Sequence, residues 1–305
     1  MMERLLHRLP IPSGCVALGL IELGTLLSSV NSLFLYSCGA LSIFLQALVI
    51  LKLLIPGERR TVFADNGALT TLAGTSMAMM LTAAQLNSIY PFSPWFFLWI
   101  LGLVFHLNIF LCFTTKIFRE RPSISAVRGS WLLVYVGIAA ASVSSQAFSA
   151  QHLGELLLIP AALGGIILLP LVYLADRRFD NIPCGQRPLF CISAAPVSLW
   201  LVGYLSVSDM PSRTFVSALL LFSQILYFPA LIRCLQNLRK EFSPAFAAFS
   251  FPFVICVSAM KQGGAQLGIL PLLRVPILIE TVFATVLCLY VLWSYVRFLF
   301  RWNHG

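Results

Sequence analysis

Along the 305 residues, long apolar stretches alternate with short segments in which the charges collect. A bilayer core is about 30 Å thick and takes about 20 helical residues to cross. Ten runs meet that length: 10–35, 37–56, 67–87, 91–115, 129–149, 155–175, 189–208, 212–235, 243–262 and 272–299. Each predicts one transmembrane helix. The connections after the first, third, fifth and seventh runs are short and nearly uncharged, so the runs pair as hairpins. Odd runs begin near 10, 67, 129, 189 and 243, and such an even spacing is the mark of a tandem repeat. Each follows a basic segment and a helix-start residue: Arg8 then Pro12, Arg60 then Asn66-Gly67, Arg121-Pro122, Arg187-Pro188, and Lys240 then Pro244. Proline suits a first helical turn, where its missing N–H was unpaired anyway. The pattern predicts an all-α polytopic membrane protein. Its single transmembrane domain, 1–305, comprises five tandem hairpins at 10–56, 67–115, 129–175, 189–235 and 243–299.

Composition narrows the class further. Hydrophobic residues make up 59% of the chain and charged residues 10%, with mean hydropathy +0.91. Soluble domains carry roughly a quarter charged residues. A soluble enzyme, a disordered chain and a disulfide scaffold are thereby excluded. A transmembrane barrel would show short alternating segments instead of long runs. The net charge of +9 lies between the apolar runs without a basic stripe, so no nucleic-acid partner is expected.

The same charges orient the chain. With the N-terminus inside, every one of the 20 Lys and Arg residues is cytoplasmic except Arg213, Lys261 and Arg274. This is a positive-inside distribution, and it predicts a plasma (inner) membrane protein with both termini cytoplasmic. The segment MMERLLHRLPIPSGC has no apolar stretch before Cys15, so the first run is expected to be a retained span, not a cleaved leader. The eight cysteines form no CxxC pair and sit mostly inside apolar runs, as small buried hydrophobes do.

Odd and even runs differ in character. Even runs are bulky, as in PFSPWFFLWILGLVFHLNIFLCF (91–113); odd runs are small and hydroxyl-rich, as in GALTTLAGTSMAMMLTAA (67–84). Bulky surfaces suit lipid, whereas small residues let backbones approach or line a cavity. The expectation is an inner ring of odd helices inside an outer ring of even ones.

Three segments carry a resemblance: LPIPSGCVALGL (9–20), RPLFCISAAPVSLWLVGYLS (187–206) and AFAAFSFPFVICVSAM (245–260). Their order and spacing resemble the tellurite-resistance/dicarboxylate transporter family, which includes the plant slow-type anion channels. The resemblance implies five hairpins with pseudo-fivefold symmetry around a central pore, assembled as homotrimers in the bilayer. It also implies proline-kinked odd helices and a phenylalanine plug on the ninth, which falls at Phe251. Pro196 and Pro252 match the expected kinks, whereas the third and fifth helices carry Gly74 and Gly137 and no internal proline. With Gly14, Ala247 and Ser258, these glycines are the expected pore-lining positions.

The ninth run can also be read from its own periodicity. Phe246, Phe249 and Phe253 form one stripe, and Phe251 lies about 200° from Phe249 among Ala247, Ala248, Val254, Ile255 and Ser258. A lone large ring among small residues suits a plug; the alternative is ordinary core packing. Pro252 removes the helical bond to the carbonyl of Ala248 and bends the chain beside the ring.

Selectivity is expected from hydroxyls (Ser13, Thr70, Thr75, Ser76, Ser142, Ser145, Ser193, Ser198, Ser258) and exposed backbone N–H groups. Lys261 either draws anions to the outer mouth or snorkels to headgroups. Glu22 and Glu280 are carboxylates within spans, costly there and functional by default. Glu22 is protonated, paired or linked to proton transport; Glu280, on an outer helix, reads as an interhelical or intersubunit hydrogen bond. His106 and Asn108 read as interhelical polar contacts.

Two functions remain open. One is a gated channel for small anions; the other is a proton-coupled carrier or exporter of dicarboxylate, sulfite or tellurite. An enzyme is not expected: no HExxH, GxSxG or aspartate-rich motif appears, and His7, His106, His152 and His304 are scattered. No cofactor or metal is expected.

Overall fold

A computed structural model describes residues 2–178 and 182–300. Arg301 and His304 lie outside the described residues, and of Arg4 and Arg178 only the backbone is described. Thirteen α-helices account for most of it: α1 (Met2–Arg8), α2 (Ser13–Leu27), α3 (Ser32–Leu54), α4 (Pro56–Ala64), α5 (Asn66–Ile89), α6 (Pro94–Glu120), α7 (Ser130–Tyr135), α8 (Ala139–Ser145), α9 (Gln151–Arg178), α10 (Ala195–Val207), α11 (Arg213–Leu238), α12 (Phe251–Leu267) and α13 (Leu270–Phe300). No strand occurs among the described residues. Two 3₁₀ segments, Cys184–Ala194 and Pro244–Phe249, lead directly into α10 and α12.

Eight helical stretches are long and apolar enough to cross a membrane, counting each of those 3₁₀ segments with its helix; α2 is a shorter apolar helix. The remaining predicted run, 129–149, is interrupted. It forms α7, a turn at 136–138, α8 and a 3₁₀ turn at Gln146–Phe148. The glycine at 137 sits in this turn, where a Cβ would fall 2.0 Å from the Leu133 carbonyl oxygen. Only a residue without a side chain fits that break.

The first hairpin turn also differs from its expected place. The run 10–35 ends as helix at Leu27, and residues 32–35 belong to the second helix. Asn31, in extended conformation, accepts the Leu33 N–H through its Oδ1 at 2.8 Å and caps α3. Hydropathy does not register such a cap, because the residues around it are as apolar as the helices.

Odd and even elements separate radially. α2, α5, α7 with α8, α10 and α12 each pack on the next, and α12 returns onto α2 to close a ring. α3, α6, α9, α11 and α13 each pack outside the inner element that precedes them. Burial follows: the spanning windows of the inner stretches at 66–89, 184–207 and 244–267 are 72–89% buried, against 22–33% for the outer helices. Bulky side chains such as Phe97, Ile167, Phe222 and Trp293 cover the outside.

Polar side chains tie the two layers where lipid would leave them unsatisfied. Ser42 donates to the Ala17 carbonyl at 2.7 Å, and Gln46 donates to Thr82 at 2.8 Å. Trp99 donates to Ser144 at 2.8 Å. His106, fully buried, meets Ser76 at 2.8 Å and the Val134 carbonyl at 3.1 Å. The turn at 136–138 takes that carbonyl out of the regular helical ladder, so the imidazole completes α7. Asn108, in contrast, bonds Cys112 on its own helix. The expectation of an interhelical contact fails there, because Asn108 faces outward with Cys112 one turn on.

Candidate functional site

The inner segments that begin with 3₁₀ geometry bring the two prolines to equivalent places. Pro196 and Pro252 each occupy the first turn of an α-helix, at the junction where 3₁₀ gives way to α. A first turn tolerates the missing N–H. Between the two geometries Ser250 takes φ −84° and ψ −83°, so the chain bends immediately before Phe251. Ser250 also donates to the Cys15 carbonyl at 3.1 Å, fixing this bend against α2. A side chain at Gly19 would strike Ser250 within 2.5 Å, so the close approach needs glycine.

The rings around this bend point in two directions. Phe246 and Phe249 pack on each other, and Phe253 packs edge-on to Tyr227 and Phe283 of the outer helices. Phe251 is 2% exposed and makes no ring contact among the described residues. It projects instead between two small cavities. One is lined by Cys15, Thr71, Leu133, Ile192, Ala248 and Phe251, so every inner segment contributes. The other, one to two turns farther along α5 and α10, is lined by Met77, Gly137, Pro196, Leu199 and again Phe251. Each measures about 10 Å³. That is the room of a single water, so the axis of the ring is closed beside the phenylalanine.

Farther along α2 and α12 the space widens. A recess of about 280 Å³ is lined by Glu22, Thr25, Ser258, Lys261, Gln262 and Leu270. Ser258 stands seven residues beyond Phe251, on the same helical face two turns on. Glu22 follows Leu18 of the first cavity by one turn. The carboxylate is 6% exposed and accepts the Ser258 hydroxyl proton at 2.6 Å. Lys261 donates to Ser29 at 2.7 Å from the same recess. A carboxylate and an ammonium therefore share one opening between two inner helices.

The other predicted positions are distributed unevenly. Ala247 borders the first cavity, Gly137 the second and Ser258 the recess. Gly14 and Gly74 lie where α2 touches α5: a Cβ on Gly14 would fall 1.9 Å from Thr75 Oγ1, and one on Gly74 would fall 2.4 Å from Cys15 Sγ. Most of the hydroxyls expected to line a path bond their own surroundings instead. Ser13 donates to Pro10, Thr70 to Asn66, Ser76 to Ala73, Ser142 to Gly154 and Ser145 to Ser142, each at a backbone carbonyl. The cavities flanking Phe251 are apolar as a result, apart from Thr71. Glu280 is buried on α13 and its Oε2 lacks a partner among the described residues, so the interhelical bond expected of it is not formed among them.

Two cations make contacts that sequence position does not reveal. Lys52, counted among the cytoplasmic charges, is 6% exposed. Its ammonium donates to the carbonyls of Leu6, His7 and Leu9 at 3.0, 2.9 and 2.9 Å and pairs with Glu58 at 3.1 Å. Arg213 donates to the Leu267 carbonyl at 2.8 Å, closing the end of α12. A lysine inside QALVILKLL signals the first; nothing in the sequence marks the second, since its partner is backbone 54 residues away.

Among curated proteins none matches this chain. Residues 10–296 match the SLAC1 family, described as voltage-dependent anion channels. The match runs from the start of the inner ring to the end of the last outer helix. A closed ring of small-residue helices, sheathed in bulky apolar ones and sealed at its axis, is the architecture on which that match falls. The chain is an integral membrane protein that belongs to the voltage-dependent anion channel family.

Proposed function

We propose that the protein conducts small anions through the axis of its inner ring and that Phe251 is the plug. In this reading all ten apolar runs cross the membrane as five hairpins with pseudo-fivefold symmetry. Both termini are cytoplasmic, the membrane is the plasma (inner) membrane, and three copies assemble. The observation that carries the reading is the placement of Phe251 between two cavities too small for an anion, just after the bend at Ser250. Swinging one aromatic ring aside joins those cavities to the recess at Glu22 and Lys261.

The lining explains what would pass. With no cation among the residues around Phe251, an anion is not held tightly there and must shed water to enter. Weakly hydrated anions are favoured. Lys261 raises the local anion concentration at the outer recess, whereas an ionised Glu22 opposes it.

The second reading is a proton-coupled carrier of a dicarboxylate, sulfite or tellurite, favoured by the Glu22–Ser258 hydrogen bond on the plug's own helix. Bilayer currents of wild type and Phe251→Ala in chloride and nitrate gradients, at several pH values, separate the two. A channel gives an anion-selective current in the mutant at least an order of magnitude above wild type. Silence of both proteins, with malate or sulfite uptake driven by a proton gradient and lost in Glu22→Gln, establishes the carrier instead.

A further inference from the structure

On the face where the inner helices begin, a polar pocket of about 120 Å³ lies between α9, α11 and the 3₁₀ segment Cys184–Ala194. Arg187, Arg233 and Lys240 line it, with Asp176, Gln236 and Asn237. One cation is committed: Arg233 pairs with Asp176 and lies over the Phe190 ring, 5.7 Å from its centroid. Arg187 spends only its Nε, in a long bond to the Ile182 carbonyl at 3.4 Å. The Lys240 ammonium has no partner among the described residues. Two cations thus line one small volume in which, among the described residues, the one lining carboxylate is already neutralised.

A second observation is independent of charge. Asn237 is 3% exposed; its Nδ2 donates to the Arg233 carbonyl at 2.6 Å, and its Oδ1 accepts nothing. A buried carbonyl oxygen without a donor is costly. The amide cannot be turned over to relieve this, because its nitrogen is already used. Asn237 closes one wall of the pocket, and the cations that line it lack an anion.

We infer that this pocket binds a phosphate group, as free inorganic phosphate or as the headgroup of an anionic phospholipid. Phosphate oxygens take the terminal nitrogens of Arg187 and the Lys240 ammonium. Arg recognises such groups by two parallel N–H bonds. The position gives the site a consequence. Arg187 precedes Leu189 and Ile192, and Lys240 precedes the segment Pro244–Phe249 that ends just before Phe251. Ser243 already donates to the Gly185 carbonyl at 2.9 Å, joining the two 3₁₀ starts. A phosphate bridging Arg187 to Lys240 pins the starts of both proline-bearing inner helices to one another.

The test uses the full-length protein, delipidated in neutral detergent. Unfolding midpoints are measured with inorganic phosphate against chloride at equal ionic strength, and retained lipid is weighed by native mass spectrometry after exposure to phosphatidylglycerol or phosphatidylcholine. Ligand binding raises the midpoint as the logarithm of ligand concentration over Kd. The expected result is selective stabilisation by phosphate, selective retention of phosphatidylglycerol, or both. R187Q/K240Q is expected to weaken it roughly tenfold or more, the loss of two charge-assisted hydrogen bonds. K240Q alone, at an exposed position, serves if the double variant melts early in chloride. Phosphate binding without lipid retention assigns the site to a free anion, and the reverse assigns it to a headgroup. If wild type prefers neither over chloride and phosphatidylcholine, or if both variants bind like wild type, the inference is overturned.

Discussion

At the scale of single residues, the strongest polar contacts are those that close off backbone groups in an apolar setting. Lys52 holds three carbonyls at the junction of α1 and α2, and Glu58 bonds both Lys52 and His7. Lys52→Met leaves the three carbonyls and Glu58 without this cation and is expected to lower stability by about 3 kcal/mol, read as the unfolding midpoint in detergent. Partial burial pushes the Glu58 carboxyl upward, but the hydrogen bonds from His7 and Lys52 outweigh it and hold the group below the ordinary carboxylate range. A depressed folded-state value means that this stabilisation is present at neutral pH. It disappears as pH falls below about 4.3, the ordinary Glu value. The hydrogen-exchange protection of residues 5–12, after correction for the intrinsic pH dependence of exchange, is therefore expected to fall on acidification in wild type and to respond far less in Glu58→Gln. Ser258→Ala strips Glu22 of its hydroxyl partner and is expected to cost about 1–3 kcal/mol, with Ser258→Thr recovering most of it.

At the scale of elements, breaks matter as much as helices. The sequence placed apolar runs and their pairing, since spans must be long and unbroken in hydropathy. It did not place the turn after Leu27, where the capping Asn31 sits in apolar surroundings, nor the interruption at Gly137. Glycine in a run reads the same whether it kinks, packs or does neither. A Cβ at Gly137 would stand within 3.0 Å of Leu133, Met77 and His106, whereas one at Gly57 on α4 would meet open space. Gly137→Ala is expected to cost about 1–3 kcal/mol through overpacking, while Gly57→Ala is neutral or gains up to about 1 kcal/mol from helix propensity. Equal melting shifts for the two would contradict this account of the break.

At the scale of the whole molecule, the inner and outer layers follow from residue size, and the proposed orientation follows from charge. Cys184 is exposed on the basic face, while Cys15, Cys191, Cys234, Cys256 and Cys288 are buried. A membrane-impermeant maleimide is expected to label Cys184 in intact cells only after permeabilisation, with Cys184→Ser abolishing the signal. Labelling of that cysteine in unpermeabilised cells would reverse the proposed topology. Homotrimer assembly is checked separately by the mass of the detergent-solubilised protein after subtracting bound detergent.

The sequence by itself determined the class, the runs, their pairing and the sidedness of charge. Each of these depends on properties summed over many residues, so no single contact decides them. The family resemblance singled out Phe251, with periodicity setting it apart from the other rings, and the cost of a carboxylate in lipid singled out Glu22. Tertiary structure alone decided that Phe251 stands between two small cavities, that Ser258 donates a hydrogen bond to Glu22, and that Lys52 is buried. It also decided that most inner hydroxyls turn to backbone carbonyls, leaving an apolar lining. Those outcomes depend on which atoms meet across positions as far apart as 22 and 258, and local pattern carries no record of such meetings.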